Sequence, residues 1–99
     1  MQSAEEAAQA IRVAAGEVFV IELRGNPTTG YVWQADVDAR YLELTGKEFE
    51  RESAAIGAGG REVFHFRARE AGRTEIVFAY GRPWESLARD TRHFQVVIG

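Results

Sequence analysis

Serine, histidine and carboxylate side chains are the groups in this chain that could carry covalent or proton-transfer chemistry, and their spacing argues against it. The three serines are Ser3, Ser53 and Ser86. None sits in the Gly-x-Ser-x-Gly elbow that exposes a hydrolase nucleophile. The two histidines, His65 and His93, fall on the outward parity of alternating segments, where an imidazole is solvated. The chain has no cysteine, which removes thiol nucleophiles, disulfides and cysteine-based zinc sites. With no His-x-x-x-His pair either, no metal site is expected. Glu50 with Glu52, and Asp36 with Asp38, read as polar strand or turn residues. General acid–base work needs a cleft that perturbs their pKa values, and a small sandwich offers no obvious one. The expectation is a protein that is not an enzyme and takes no cofactor.

Three connecting segments carry more information. The first is Asn26-Pro27-Thr28-Thr29-Gly30-Tyr31-Val32-Trp33. Pro27 fixes its own φ and pushes Asn26 toward extended geometry. Thr28 and Thr29 are stiff at χ1, and Gly30 can take positive φ to turn the chain back. This predicts a rigid loop with both threonines at its tip. A tight turn capped by its Asn side chain is the plainer alternative. The second segment is Gly57-Ala58-Gly59-Gly60. As a phosphate cradle it lacks the following Lys-Ser/Thr and helix. Main-chain pairing with a partner and a flexible connection remain. The third is Arg82-Pro83-Trp84. Pro83 argues against a central strand. Trp84 either folds back over the core or serves as an interface anchor, a role in which Trp and Arg are favoured.

The elements that must position these segments are short strands. Phe19, Ile21 and Leu23 alternate within Val18 to Leu23, following a candidate strand at Ile11 to Ala14 that Gly16 ends. Tyr31, Trp33 and Ala35 share a face. Tyr41 to Leu44 and Lys47 to Glu52 suggest a hairpin about Thr45-Gly46. Phe64, Phe66 and Ala68 alternate with polar residues, as do Ile76, Phe78 and Tyr80, and then Phe94, Val96 and Ile98. Such period-two patterns suit sheets with one buried face. Seven to eight short strands separated by glycine-containing turns predict an all-β, immunoglobulin-like β-sandwich with Trp33 in its core. In that fold the three segments are the B–C, D–E and F–G connections, at one end of the sandwich.

Length and composition bound the rest. Ninety-nine residues fit one domain, taken as residues 11–99 behind an N-terminal tail, residues 1–10, that has no apolar stripe. Hydrophobic residues make up 45% and charged residues 27%, a globular balance. The formal net charge of −3 and the lack of a basic cluster make a nucleic-acid partner a poor fit. No apolar run reaches the roughly 18 residues of a membrane span, and Met1 to Ala10 lacks the hydrophobic segment of a signal peptide. The compartment follows from whether a leader was removed: periplasmic or secreted if so, cytoplasmic otherwise. The chain has eleven arginines and one lysine, Lys47.

Taken together, the segments resemble the chagasin family of cysteine-peptidase inhibitors. The family pattern is Asn-Pro-Thr-Thr-Gly followed by an aromatic, then Gly-x-Gly-Gly, then Arg-Pro-Trp. This chain has Asn26 to Tyr31, Gly57 to Gly60 and Arg82 to Trp84 in that order and at family-like spacing. The similarity runs from about Ile11 to the end, including Phe64-His65-Phe66 and Ala71-Gly72. Each motif alone is weak, and the ordered triple is specific.

The resemblance implies an immunoglobulin-like sandwich that inhibits papain-like cysteine peptidases reversibly and without a covalent bond. In the family the Thr-Thr loop enters the catalytic cleft and the other two loops clamp its edges. By that analogy the peptidase-binding residues are Asn26, Pro27, Thr28, Thr29, Gly30, Tyr31, Gly57, Ala58, Gly59, Gly60, Arg82, Pro83 and Trp84. A monomer matches a one-to-one plug. The alternative is an immunoglobulin-like adhesion or scaffold module that binds another protein or a glycan. Such a module has no reason to keep the Thr-Thr loop together with Arg-Pro-Trp.

Overall fold

A computed structural model describes Gln2–Ala4, residues 10–26, residues 29–51 and residues 59–99. The strands are β1 (Gln2–Ala4), β2 (Ile11–Val13), β3 (Val18–Gly25), β4 (Val32–Asp36), β5 (Leu42–Arg51), β6 (Gly60–Ala68), β7 (Gly72–Gly81) and β8 (Asp90–Ile98). They form two four-stranded sheets, ordered β1-β3-β6-β5 and β2-β8-β7-β4. The protein is an immunoglobulin-like β-sandwich, as its alternating segments require.

Period-two alternation sends one side of each strand into the space between the sheets. Phe19, Ile21 and Leu23 of β3 meet Phe64 and Phe66 of β6 from one sheet. Ile76 and Phe78 of β7 meet Phe94, Val96 and Ile98 of β8 from the other. The aromatic rings interlock. Across the gap Phe64 and Phe78 meet edge-on at 4.9 Å between centroids, and within the second sheet Phe78 and Phe94 meet edge-on at 5.5 Å. Edge-to-face contacts are among the favoured geometries for aromatic pairs. Trp33 is 2% exposed and lies in this core.

Two segments depart from the sequence-based expectation. Gln2–Ala4, within the stretch read as a tail, adds a parallel strand beside β3, with Gln2 opposite Phe19 and Ala4 opposite Ile21. Edge addition works through main-chain hydrogen bonds, so it leaves no mark in the side-chain pattern. The hairpin expected about Thr45-Gly46 is instead one continuous strand, β5. Both halves pair with β6, from Leu42 opposite Ala68 to Arg51 opposite Gly60, and the register shifts between Leu44 and Gly46. Thr45 is the extra residue of a β-bulge, and its hydroxyl donates to the His65 carbonyl at 3.2 Å. A bulge and a turn share residue preferences, and a ready partner strand on β6 decides between them.

Register also fixes the ends of the sandwich. Gly25 pairs with Gly60, and Gly60 with Arg51. Val32 pairs with Gly81, and Tyr80 with Asp90. The β3–β4, β5–β6 and β7–β8 connections therefore all emerge at one end, as the sandwich topology predicts.

Candidate functional site

The site is this end of the sandwich, and it is built outward from Trp33 on β4. The Trp33 indole N–H donates to the Arg24 carbonyl on β3 at 2.8 Å. The Trp33 main-chain N–H donates to both carboxylate oxygens of Glu62 on β6, at 3.1 and 3.3 Å. Lys47 on β5 donates its ammonium to the Trp33 carbonyl at 2.9 Å and pairs with Glu62 at 3.1 Å. Glu62 is 2% exposed. A buried carboxylate is tolerated when it is paired and hydrogen-bonded, and both conditions are met. The ion pair thus satisfies the main chain of edge strand β4 and rivets the two sheets together beneath the loops.

Sequence reasoning missed this pair, although a signal was present. Glu62 has the same parity as Phe64 and Phe66, so a carboxylate stood on the buried face. The sole lysine of the chain lies opposite Phe64, with its ammonium 5.1 Å from that ring centroid.

The β3–β4 loop rises from this base. Its mouth is closed at Asn26, whose carbonyl accepts the Thr29 N–H at 3.1 Å and the Thr29 hydroxyl at 2.7 Å. The Asn26 N–H donates to the Tyr80 hydroxyl at 3.3 Å. Thr29 is exposed, but its hydroxyl is turned inward to stiffen the turn. Gly30 has φ +86°, where side chains are disfavoured. A Cβ there would also lie 3.0 Å from Cη2 of Trp84. Gly30 is therefore required both for its backbone angle and for the approach of the indole. Pro27 and Thr28 lie outside the described residues.

The β7–β8 loop leans on the first. The Arg82 Nε–H donates to the Thr29 carbonyl at 3.3 Å, and its guanidinium lies 4.5 Å from the Tyr31 ring centroid. Tyr31 stacks on Tyr80 at 5.5 Å, and Tyr80 meets Trp33 at 4.6 Å. An aromatic column therefore runs from the core to the surface. Pro83 and Trp84 occupy a turn in which the Glu85 N–H donates to the Arg82 carbonyl at 3.0 Å. Trp84 is 72% exposed. It does not cover the core. Its ring edge rests on Gly30 and the rest faces solvent.

The β5–β6 segment contributes Gly59 and Gly60 to the described structure, while Gly57 and Ala58 lie outside it. Gly59 lies close to β3, where a Cβ would stand 3.3 Å from the Gly25 carbonyl oxygen. Gly60 is buried in β6, and a Cβ there would overlap the Glu50 carbonyl oxygen and approach Phe49 Cζ to 2.8 Å. Strand packing alone therefore requires glycine at Gly60, whereas Gly59 is partly open.

Two ion pairs lie at this end, Lys47 with Glu62 and Arg92 with Asp90. Asp90, at the start of β8, has its carboxyl held below the usual carboxylate range by its hydrogen bond from Arg92, with help from the Thr91 N–H. The histidines face away from the core: His65 Nε2 lies 2.7 Å from Glu48, and His93 Nδ1 lies 3.5 Å from Glu75. Among the described residues no three His, Asp or Glu side chains gather as a metal site would require. What the described residues of this end offer is a β3–β4 loop closed at its mouth by hydrogen bonds beside an exposed indole.

Known proteins bear the same pattern. Residues 12–98 match the family described as Chagasin family peptidase inhibitor I42. Chagasin of Trypanosoma cruzi is 33% identical over 94 residues, covering 89% of this chain and 86% of that protein. Amoebiasin-1 of Entamoeba histolytica is 35% identical over 81 residues, covering 81% and 79%. The crystal structure of the cysteine protease inhibitor EhICP2 from Entamoeba histolytica superposes with a TM-score of 0.84 at 23% identity, covering 99% of this chain and 97% of that one. PbICP-C, solved in complex with falcipain-2, superposes with a TM-score of 0.66 at 20% identity, covering 100% and 90%. With a match across nearly its whole length, this chain belongs to the chagasin family of peptidase inhibitors.

Proposed function

We propose that this chain inhibits papain-like cysteine peptidases reversibly and non-covalently, using the end of the sandwich where its three loops converge. The observation that carries this reading is the bracing of the β3–β4 loop on both sides of its tip. Its mouth is closed by the Thr29 hydroxyl on the Asn26 carbonyl, and its positive-φ glycine lies under Trp84.

The physical logic is plugging without chemistry. A papain-like enzyme binds an extended peptide and attacks a carbonyl with a thiolate. A rigid loop can fill the cleft while placing no carbonyl in attack geometry. Rigidity counts because little loop entropy is left to lose on binding. Asn26 to Gly30 form the plug, with Tyr31 supporting it from below. Of the Gly57 to Gly60 segment, Gly57 to Gly59 present bare backbone to one edge of the cleft, and Gly60, buried at the start of β6, anchors them. Trp84 lies on the other edge, held by Arg82 and Pro83. Three such contacts together cover on the order of 1,600 Å², the standard size of a specific interface. The fold neighbour PbICP-C, bound to falcipain-2, supports inhibition through a protein complex. The family match leaves the adhesion or scaffold reading without support.

The experiment is a titration of papain, following cleavage of a fluorogenic peptide, with the integrity of the inhibitor checked afterwards. Stoichiometric inhibition by an uncut protein is expected. A folded protein that leaves papain active at micromolar concentration would overturn the reading for papain.

A further inference from the structure

The β7–β8 loop carries charge that runs against the rest of the molecule. The chain has a formal net charge of −3, so its average field repels an acidic partner. Yet two guanidinium groups converge on one exposed edge. Arg82 lies 4.5 Å and Arg89 5.2 Å from the same Tyr31 ring centroid. Among the described residues neither is within ion-pair distance of a carboxylate. Of the neighbouring acids, Asp90 is already bound to Arg92 at 2.8 Å, and Glu85 on the same loop is exposed and forms no ion pair with either arginine. Elsewhere arginines such as Arg40 and Arg61 are matched with Glu70 and Glu22.

The two arginines differ in what the fold asks of them. Arg82 also holds the Thr29 carbonyl. Arg89 is fastened through its main chain, whose N–H donates to the Tyr80 carbonyl at 2.7 Å, so its side chain can change without releasing the loop. On the same loop Leu87 is 83% and Trp84 72% exposed. The loop therefore displays apolar side chains beside two guanidinium groups that have no carboxylate partner among the described residues, and its two arginines outnumber its one acid, Glu85.

We propose that Arg82 and Arg89 form a cationic rim on the inhibitory edge that pairs with carboxylates beside the cleft of the target. The chain then selects, among papain-like peptidases, those whose cleft edge is acidic. This rests on the inhibitor reading above and names the surface chemistry of the partner. The rim acts chiefly on encounter, because exposed charges steer association more than they hold a finished complex.

The test is the association rate of the whole chain with a papain-like peptidase of net negative charge, from about 20 to about 300 mM NaCl, a range over which the screening length shortens severalfold. Net charges alone would repel, and the rate would rise with salt. The cationic rim requires the rate to fall. Arg89→Glu should slow association about tenfold at low salt, with the difference closing at high salt. Arg89→Lys should stay near wild type, and Arg89→Gln should fall between. Thermal melts of each variant check the fold, and the salt slope of Arg89→Gln decides if Arg89→Glu fails to fold. A wild-type rate that rises with salt, or an Arg89→Glu rate equal to wild type, would overturn the rim while leaving inhibition intact. Absence of inhibition at every salt concentration would overturn the inhibitor reading and the rim with it.

Discussion

The two ends of the sandwich are closed by different means. At the end away from the site, main-chain hydrogen bonds do most of the work. Gly16 N–H donates to the Ala68 carbonyl and Ala68 N–H to the Glu17 carbonyl, both at 2.9 Å, while Arg69 N–H donates to the Tyr41 carbonyl at 2.7 Å. Those turns are polar and display no exposed large apolar residue among the described ones. At the site end, side chains hold the connections. Lys47 and Glu62 secure β4, the Thr29 hydroxyl closes the first loop, and Arg82 braces it. Main-chain closure tolerates many sequences and shows nothing to a partner. Side-chain closure needs particular residues, and it leaves Trp84 and Leu87 facing solvent. The contrast explains why the recognisable motifs crowd at one end: that end must keep a shape that its backbone alone does not dictate.

Variants can break this asymmetry. Lys47→Met should have the largest effect. It strands the Glu62 carboxylate in the core with only the Trp33 N–H as partner, and the expected loss of stability is about 3 kcal/mol. Urea melts measure the loss, and amide exchange should rise at Trp33 more than at Ala68. Trp84→Ala removes an exposed side chain, so stability should hold while inhibition weakens by about 2 kcal/mol. Arg40→Ala, which cuts an exposed ion pair at the opposite end, should leave the inhibition constant where it was. An equal loss from both variants would erase the distinction between the ends.

Gly30→Ala sharpens the comparison further. The added methyl must adopt positive φ and press on Trp84, at a cost of about 1.5 kcal/mol. That cost should appear in both stability and inhibition. Gly16 also has positive φ, but open space surrounds it. Gly16→Ala should therefore affect stability alone.

The smallest effect concerns pH. Arg92 holds the folded-state pKa of Asp90 below the ordinary aspartate value. The stability this pair contributes is present above that value and is lost as pH falls through the lower folded one. Asp90→Asn should reduce the acid sensitivity of the urea midpoint slightly below about pH 4.

Much of this molecule was legible in its sequence, and the limits have physical causes. Alternation exposed the inward faces of β3, β6, β7 and β8, because each buries one side against the other sheet. Topology then placed the three connections at one end. Gln2–Ala4 escaped because it joins β3 through main-chain bonds. The β5 bulge escaped because Thr45-Gly46 suits a turn as well as a bulge. Glu62 was hidden by its chemical type: a carboxylate on a buried parity is informative only when its partner is known. That partner, Lys47, lies fifteen residues away on a neighbouring strand. Trp84 was open between two roles, and its exposure at the tip of the β7–β8 loop favours the interface.

The most direct test of the account is a hydrogen-exchange footprint of the protein on catalytically blocked papain. Protection is expected at Gly25 to Tyr31, Gly57 to Gly60 and Gly81 to Asp90. The turns at Gly16, at Asp38 to Tyr41 and at Glu70 to Gly72 should exchange as in the free protein. Protection centred on those opposite turns, with the three loops unchanged, would contradict the assignment of inhibition to this end of the sandwich.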